Sequence, residues 1–467
     1  MFEFGINEKK YSKVHFIGIG GISMSGLAEI LLDEGYTVTG SDSKNSLIIE
    51  RLRNLGADIY ITHNENNVVG ADLVIYTDAI SQDNEELVKA QTLGVSIVDR
   101  ATFLGALMKN YKNSIAVSGT HGKTTTTSML STILNRSTLN PTILLGGELD
   151  EIGGNVRIGS KEYILTEACE YKGNILKYFP TMAVILNIDE DHLDYFKSIE
   201  HILDTFVQYG KNLTDHSWLL INGDDVHSKK VIDNTLAKVV TFGIDGDWDY
   251  TAEDIKLSKE GFPSFTLKIK GYGLYPIKLN VMGIHNIYNS LGCIAAAHIY
   301  GVPLEEIQEN ISSYTGVHRR LEFKGYYNGV KIIDDYAHHP TEIKATLSAL
   351  KEFTIGDLYC VFQPHTFTRT KLLLDRFAES FIESDKIIIT DIYAAREQDN
   401  GTIHSKDLVN AIINKGSNAI YIESFNDVES YLIENTKEND IIVTMGAGNI
   451  YQVGEAIIEL AKEKTAV

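Results

Sequence analysis

Cysteine is almost missing from this chain of 467 residues, which holds three: Cys169, Cys293 and Cys360. They stand far apart and without metal-site spacing, which excludes a disulfide framework and points to a reducing compartment, the cytoplasm. Long apolar runs are also missing. None approaches the ~20 residues of a membrane span, and the N-terminus has no secretory apolar core, so no integral membrane contact is expected. Basic residues are scarce, with 42 Lys and Arg against 63 Asp and Glu and a net charge of −21. Phosphate backbones demand basic surface, so nucleic acid is excluded as a partner. Any anionic substrate then needs local arginines, lysines and a metal to overcome the general field. There is no low-complexity tract, no Pro/Ser-rich linker and no internal repeat beyond three α/β units. With 43% hydrophobic and 22% charged residues, the chain reads as globular and long enough for about three domains.

The most specific stretch is Ser118-Gly119-Thr120-His121-Gly122-Lys123-Thr124-Thr125. It follows the β-branched run Ile115-Ala116-Val117 and opens a helical pattern with Met129, Leu130, Ile133 and Leu134 on one face. Strand, glycine loop and helix in that order make a phosphate cradle: backbone N–H groups close on an anion, and the helix N-terminus adds positive potential. Lys123 is placed for β/γ-phosphate oxygens and Thr124 for magnesium, which implies ATP. Val117 stands where the usual loop has its first glycine. The competing reading is a strand-to-helix turn with a solvated lysine.

Around this loop the chain reads as α/β throughout. Val14 to Ile17 leads into Gly18-Ile19-Gly20-Gly21-Ile22-Ser23, then a helix, then a strand Tyr36 to Thr39 ending at Ser41-Asp42. That is close to a dinucleotide fingerprint, with Ser23 in place of the third glycine, and a plain tight turn explains it equally well. A third strand, Leu73 to Tyr76, and a fourth, Ser96 to Val98, complete the first unit. Central strands are expected at Tyr163–Thr166, Met182–Leu186, Trp218–Ile221 and Val239–Phe242, with a β-ribbon over Ser264–Leu279 and a helix over Asn286–Ala297. A last unit alternates strands from Lys331 to Thr444 with helices such as Glu342–Leu350, which predicts a parallel sheet with right-handed crossovers.

Candidate chemistry clusters after strands. Glu167 ends the strand Tyr163–Thr166, where a second magnesium ligand belongs, and Glu170 follows. Asp189-Glu190-Asp191-His192-Leu193-Asp194 piles up ligand-type residues, and its histidine, His192, favours a metal over a solvated acidic loop. Asn286 and Asn289 offer amides to a purine or ribose, with Asn286 as a plain helix cap the rival. Arg319 and Arg320 sit at a domain junction, suited to gripping phosphate as domains close. Asp335, Tyr336, His338 and His365 follow strands and should face one cleft.

Taken in order, these motifs resemble those of the Mur ligases, the ATP-dependent amide-forming enzymes of peptidoglycan assembly. The resemblance rests on His15-Phe16-Ile17-Gly18-Ile19-Gly20-Gly21 with Met24-Ser25-Gly26, Gly119 to Thr124, and Asp191-His192-Leu193-Asp194. It continues in His285-Asn286 with Asn289, Arg319-Arg320, Asp334-Asp335-Tyr336-Ala337-His338-His339-Pro340, Phe362-Gln363-Pro364-His365 and Asp391 to Ala395. The family implies a Rossmann-like UDP-sugar domain (residues 1–108), a central P-loop ATPase domain with a mainly parallel sheet (109–318), and a C-terminal Rossmann-like amino-acid domain (319–467). It implies that Gly18, Gly20, Gly21 and Asp42 hold UDP, so a nicotinamide cofactor is not expected. It assigns ATP to Gly119, Thr120, His121, Gly122, Lys123, Thr124, Thr125, Asn286, Asn289, Arg319, Arg320, Asp335 and Tyr336, and the amino acid to Tyr336, His338, His365 and Arg369. It implies that Lys123, Glu167, His192, His338 and His365 carry the catalysis and that Thr124, Glu167 and His192 hold magnesium.

The implied reaction joins L-alanine to the carboxylate of UDP-N-acetylmuramate through an acyl phosphate. The expected state is a monomer or weak homodimer. Ser23, Cys169, Tyr171, Lys172 and Thr366 depart from the family's pattern, and Phe206-Val207-Gln208 occupies the region where some members carry a carbamylated lysine, so none is expected. A ligase for a recycled murein tripeptide is the nearest rival. Folate polyglutamate ligases lack a domain like Val14–Met108, a nicotinamide dehydrogenase leaves Lys123 unexplained, and a nucleotide-switch module has no use for the two outer domains.

Overall fold

The structure, a computed structural model, describes residues 2–8, 10–192, 195–258, 261–395, 397–399 and 401–465, with side chains as far as residue 462. The chain forms two compact units. One holds residues 1–189, 199–251 and 291–310, the other residues 190–198, 252–290 and 311–467. Among the described residues, no helix is long and apolar enough to cross a membrane.

The first unit carries two sheets. In the N-terminal one, five parallel strands lie in the order Asp58–Ile61, Thr37–Asp42, Lys13–Ile17, Leu73–Tyr76, Ser96–Asp99. The order reverses beside Lys13–Ile17, so the glycine loop after Ile17 opens at the carboxyl edge where open α/β sheets take ligands. Asp58–Ile61 is a strand that the sequence reading passed over. It lies at the sheet edge and buries only Ile59 well, so its apolar signal is one residue wide.

The second sheet of this unit runs Lys238–Gly243, Trp218–Asn222, Met182–Ile185, Asn113–Ser118, Ser160–Glu167, Pro141–Leu149, Gly154–Arg157. All pairs are parallel except the last. The strand feeding the phosphate loop therefore lies between the strand that ends at Glu167 and the strand that leads to Asn187. The hairpin Pro141–Arg157 was not anticipated, because glycines at 146, 147, 153 and 154 interrupt its alternation. It is tied to the helix Ile22–Asp33 by Asn155 Nδ2, which donates to the Ile22 carbonyl at 2.6 Å.

The second unit contains the expected ribbon, an antiparallel pair Pro263–Ile269 and Gly273–Lys278, and a six-stranded sheet. Its order is Glu322–Tyr327, Val330–Asp335, Ile441–Met445, Leu358–Phe362, Lys386–Ile389, Ala419–Tyr421. Five strands are parallel, as their βα alternation demands. The first is antiparallel to its neighbour across Asn328-Gly329, both at positive φ (48° and 81°), the Asn-Gly signature of a tight hairpin. Apolar side chains from both faces of this sheet form two cores, one around Phe362, Phe377 and Phe381, the other around Ile332, Val361 and Ile457.

A buried polar hub stabilises the first sheet. Glu86 is wholly buried and accepts bonds from Ser41 Oγ (2.5 Å), Asn67 Nδ2 (2.6 Å) and the Asn64 N–H (3.2 Å), with His63 Nδ1 at 3.3 Å. Burial alone would raise its pKa, but His15, with Nε2 3.6 Å away, and the bonds from Ser41 and Asn67 outweigh that and hold it at about 2, against an ordinary 4.5. A depressed carboxylate adds stability that is fully present above the unfolded-state value and lost as pH falls through the folded one. The wild type should therefore lose on the order of 3 kcal/mol more than Glu86→Gln between pH values of about 4.5 and 2. Urea midpoints across that window measure the difference, and parallel pH curves for the two proteins would refute the role assigned to the hub.

Candidate active site

The phosphate loop is built by a strand, buried from Ser114 onward, that ends at Ser118. Gly119 then takes φ 131°, and a Cβ there would sit 3.1 Å from the Asn187 N–H nitrogen. Only glycine allows that approach. Asn187 clamps the loop from the neighbouring strand end. Its Oδ1 accepts from the His121 N–H at 2.8 Å, its Nδ2 donates to the His121 carbonyl at 3.0 Å, and its own carbonyl accepts from Thr120 N–H at 3.1 Å. Thr120 Oγ1 accepts from the Asp189 N–H at 2.9 Å, and His121 Nε2 stands 3.4 Å from Asp189 Oδ2. The residues just before Asp191 thus brace the loop.

Gly122 starts the helix Lys123–Asn135 without any side-chain cap, which leaves its first-turn N–H groups, from Lys123 to Thr125, directed at an anion site. Lys123 Nζ arches back over the loop, donating to the carbonyls of Gly119 (2.6 Å) and Thr120 (2.9 Å) and pairing with Glu170 Oε2 at 3.1 Å. Thr124 Oγ1 donates to Glu167 Oε2 at 3.0 Å, and Glu167 Oε1 accepts from the Gly146 N–H at 2.7 Å. Thr124 and Glu167 therefore offer two hard oxygens at one point beside the cradle. Among the described residues no three His, Cys, Asp or Glu side chains gather closely enough to hold a metal alone. Magnesium is commonly held by one or two carboxylates together with substrate phosphates. Cys169, between the two glutamates, has its thiol pushed up to about 11 by burial and by Glu170, so it is protonated and no nucleophile.

At the first glycine loop, the N–H groups of Gly18 and Ile19 donate to the Ser41 carbonyl at 2.8 and 3.0 Å. Asp42 Oδ2 accepts from Gly20 N–H at 2.9 Å, and its Oδ1 accepts from Ser43 N–H at 2.7 Å. Asp42 thus shapes the loop. Gly21 opens the helix Ile22–Asp33, again with no side-chain cap.

The second unit collects the remaining candidates. Arg319, at φ 63°, bonds Asp334 at 3.2 Å and stacks its guanidinium 5.0 Å from the Tyr336 ring and 4.7 Å from Tyr451. Arg320 also lies 5.0 Å from Tyr336. Asp335 is buried and accepts the N–H groups of Leu321 (2.8 Å) and Ala337 (2.6 Å). Burial pushes its carboxyl up to about 6, with Arg320 acting in the opposite direction. The buried amides of Asn286 and Asn289 bond each other at 2.8 Å, and Asn286 also donates to the Met282 carbonyl at 2.7 Å.

Asp191, His192, His338, His365 and Arg369 come together in this unit. Asp191 lies 3.7 Å from Arg369 and 3.8 Å from His192. Burial acts to raise its pKa, but His192, Arg369, His339 and His338 together hold it far below the usual carboxylate range. Leu193 and Asp194 of that motif lie outside the described residues.

The partners of the two histidines fix where their protons sit. His338 Nδ1 faces the Tyr336 carbonyl at 3.0 Å and Glu342 Oε2 at 3.4 Å, both acceptors. Its proton is on Nδ1, and Nε2 carries the free electron pair. His365 Nδ1 faces Arg369 Nη1 at 3.2 Å. A guanidinium only donates, so His365 accepts at Nδ1 and is protonated at Nε2. Burial, opposed in part by Glu342, lowers the His338 pKa and keeps the ring neutral. Tyr393 stacks on His365 at 5.8 Å. Thr366 caps the helix Phe367–Leu372 through the Arg369 N–H at 3.4 Å, which orients the side chain that holds His365.

Family models match this chain in sequence order: a Mur ligase family catalytic domain over residues 13–112, a Mur ligase middle domain over 117–297 and a Mur ligase glutamate ligase domain over 319–448. The chain belongs to the Mur ligase family. It has the family's three-domain α/β architecture with mainly parallel sheets. A UDP-N-acetylmuramate–L-alanine ligase of Caldanaerobacter subterraneus is 52% identical over 98% of this chain and 100% of its own length. The solved UDP-N-acetylmuramate–alanine ligase of Thermotoga maritima is 29% identical, with a TM-score of 0.81 over 97% of this chain and 99% of that one. A murein peptide ligase of Psychrobacter arcticus, 24% identical over 96% of this chain and 98% of that one with a TM-score of 0.71, shares the fold.

Because Glu170 is only 1% exposed, Lys123 of this Mur ligase has a structural duty beside the phosphate-directed one expected of it. Lys123→Ala is expected to abolish turnover and to lower stability by about 3–5 kcal/mol by stranding a buried charge. Adding Glu170→Gln should restore the melting temperature but not turnover. Turnover regained by the double variant would overturn the phosphate role.

Proposed function

We propose that this Mur ligase couples ATP hydrolysis to amide formation between L-alanine and the carboxylate of UDP-N-acetylmuramate. The observation that carries the reading is full-length similarity at 52% identity to a ligase of that name, on a chain whose phosphate loop, Thr124–Glu167 pair and histidine cluster are in place. In this reading residues 1–108 bind the UDP-sugar, 109–318 bind ATP and 319–467 bind the amino acid. The protein works in the cytoplasm as a monomer or weak homodimer.

The substrate carboxylate attacks the γ-phosphorus of ATP and ADP leaves. The amine of L-alanine then attacks the acyl carbon and phosphate departs. Such a reaction needs positioning and charge neutralisation more than covalent help. The N–H groups of the loop and Lys123 hold the phosphates. Thr124 and Glu167 would hold one magnesium ion and His192 a second, where they would screen the charge between two anions about to react. Arg319, Arg320 and Tyr336 face the nucleotide, and Arg369 and Tyr336 the amino acid.

The amine reaches the neutral state needed for attack by losing a proton. His338 Nε2, with its free electron pair, takes that role, whereas His365, protonated at Nε2, donates a hydrogen bond.

ADP release should require UDP-N-acetylmuramate and L-alanine together. Consumption of ATP with a murein tripeptide, and none with L-alanine, would replace this reading by the tripeptide ligase. His338→Gln should lower kcat by about 10²–10⁴ with little change in the KM for ATP. A fall confined to His365→Gln would reverse the two assignments.

A further inference from the structure

Arg100 is the first residue of the helix Arg100–Met108, where the helix dipole disfavours a cation. The adjacent cap, Asp99, does not neutralise it. Asp99 is engaged by Lys177 Nζ at 2.8 Å and by the Thr102 N–H at 3.0 Å. Among the described residues Arg100 joins no ion pair within 4.0 Å, and the groups that act on it most are Tyr178 and Cys169, with Asp78 behind them. Tyr178, buried beside it, is a phenol kept neutral by that burial. A half-buried guanidinium with no carboxylate in ion-pair contact is stabilised by an anion that reaches it.

Arg100 lines a cavity of about 80 Å³ together with Ser23, Gly146, Thr166, Glu167 and Cys169. Ser23 lies directly after the first glycine loop, and Glu167 bonds Thr124 at the phosphate cradle. The cavity thus runs from the loop assigned to the UDP diphosphate to the residue assigned to the reacting end. Leu27, Leu104, Leu144 and Leu145 line the rest of it, so Arg100 is the one cationic group among the described residues that faces this space and suits an anionic oxygen entering it.

We infer that the Arg100 guanidinium binds an anionic oxygen of the UDP-sugar within this cavity, between the first glycine loop and Glu167. The inference rests on the proposed UDP-sugar substrate. Neither the glycine-loop pattern nor the phosphate loop contains this residue.

Calorimetric titration of the full-length protein, wild type and Arg100→Gln and Arg100→Lys, with UDP-N-acetylmuramate, UDP-N-acetylglucosamine and ATP tests it. Arg100→Gln should weaken UDP-N-acetylmuramate at least tenfold, leave ATP within twofold, and leave the ligand-free melting temperature unchanged, because no ion pair is lost. Arg100→Lys, which retains the charge, should fall between. Equal weakening of both UDP-sugars places the guanidinium on the diphosphate. Weakening of UDP-N-acetylmuramate alone places it on the carboxylate that UDP-N-acetylglucosamine lacks. Wild-type affinity in a folded Arg100→Gln or Arg100→Lys protein overturns the inference. A lowered melting temperature with ATP weakened in proportion also overturns it, by showing a structural role. If the wild type itself does not bind UDP-N-acetylmuramate, the fault lies in the proposed substrate.

Discussion

The pairing of Lys123 with Glu170 is the constraint on which the phosphate cradle depends. A lysine destined for phosphate must stay charged and stay aimed, yet a buried ammonium is strongly disfavoured without a counter-charge. Glu170, 1% exposed, supplies that charge from below while the carbonyls of Gly119 and Thr120 fix the direction. Glu167, three residues earlier at the end of the strand, faces Thr124 instead. Two acids on one short segment divide the labour: one balances the lysine, the other presents oxygen beside the cradle.

A comparable division appears in the second unit. Asp191 gathers Arg369 and three histidines around one depressed carboxylate, and Arg369 in turn sets the tautomer of His365. His338 is set differently, by a carbonyl and a carboxylate that both accept. Two chemically identical side chains 5.7 Å apart thereby present opposite faces, one a donor and one an acceptor, at neutral pH. Opposed hydrogen-bond environments are what separate an acid from a base when residue type does not.

Features encoded over a few neighbouring residues were legible in the sequence. The strand Leu73–Tyr76 was read to its last residue, and the cradle, the ribbon and the alternating last unit all announce themselves by local pattern. Partnerships across long sequence separations were not legible. Asn187 reaches the loop over 66 positions and Lys123 reaches Glu170 over 47. The His63–Glu86 hub and Arg100 carry no local motif at all. The edge strand Asp58–Ile61 and the glycine-broken hairpin after Pro141 escaped because each lacks a sustained period. The sequence offers Asn286 and Asn289 to a purine or ribose, with a plain helix cap as the rival for Asn286; that their amides also bond each other and the turn before them is a pairing no linear reading reveals.

The clamp formed by Asn187 changes what counts as the candidate phosphate-binding element in this protein. The loop residues 119–124 set a backbone path, but residues 187–189, on a different strand end, hold that path with one backbone–backbone bond, a bond from the Asp189 N–H to Thr120 Oγ1 and both halves of one side-chain amide. The heritable unit is therefore split, two short pieces joined only by the sheet between them. A loop grafted into another α/β scaffold without its second piece would keep the glycines and the lysine yet lose the curvature that makes them a cradle. Drift at position 187 among natural variants should accordingly track changes in residues 119–122 more closely than changes at its own sequence neighbours.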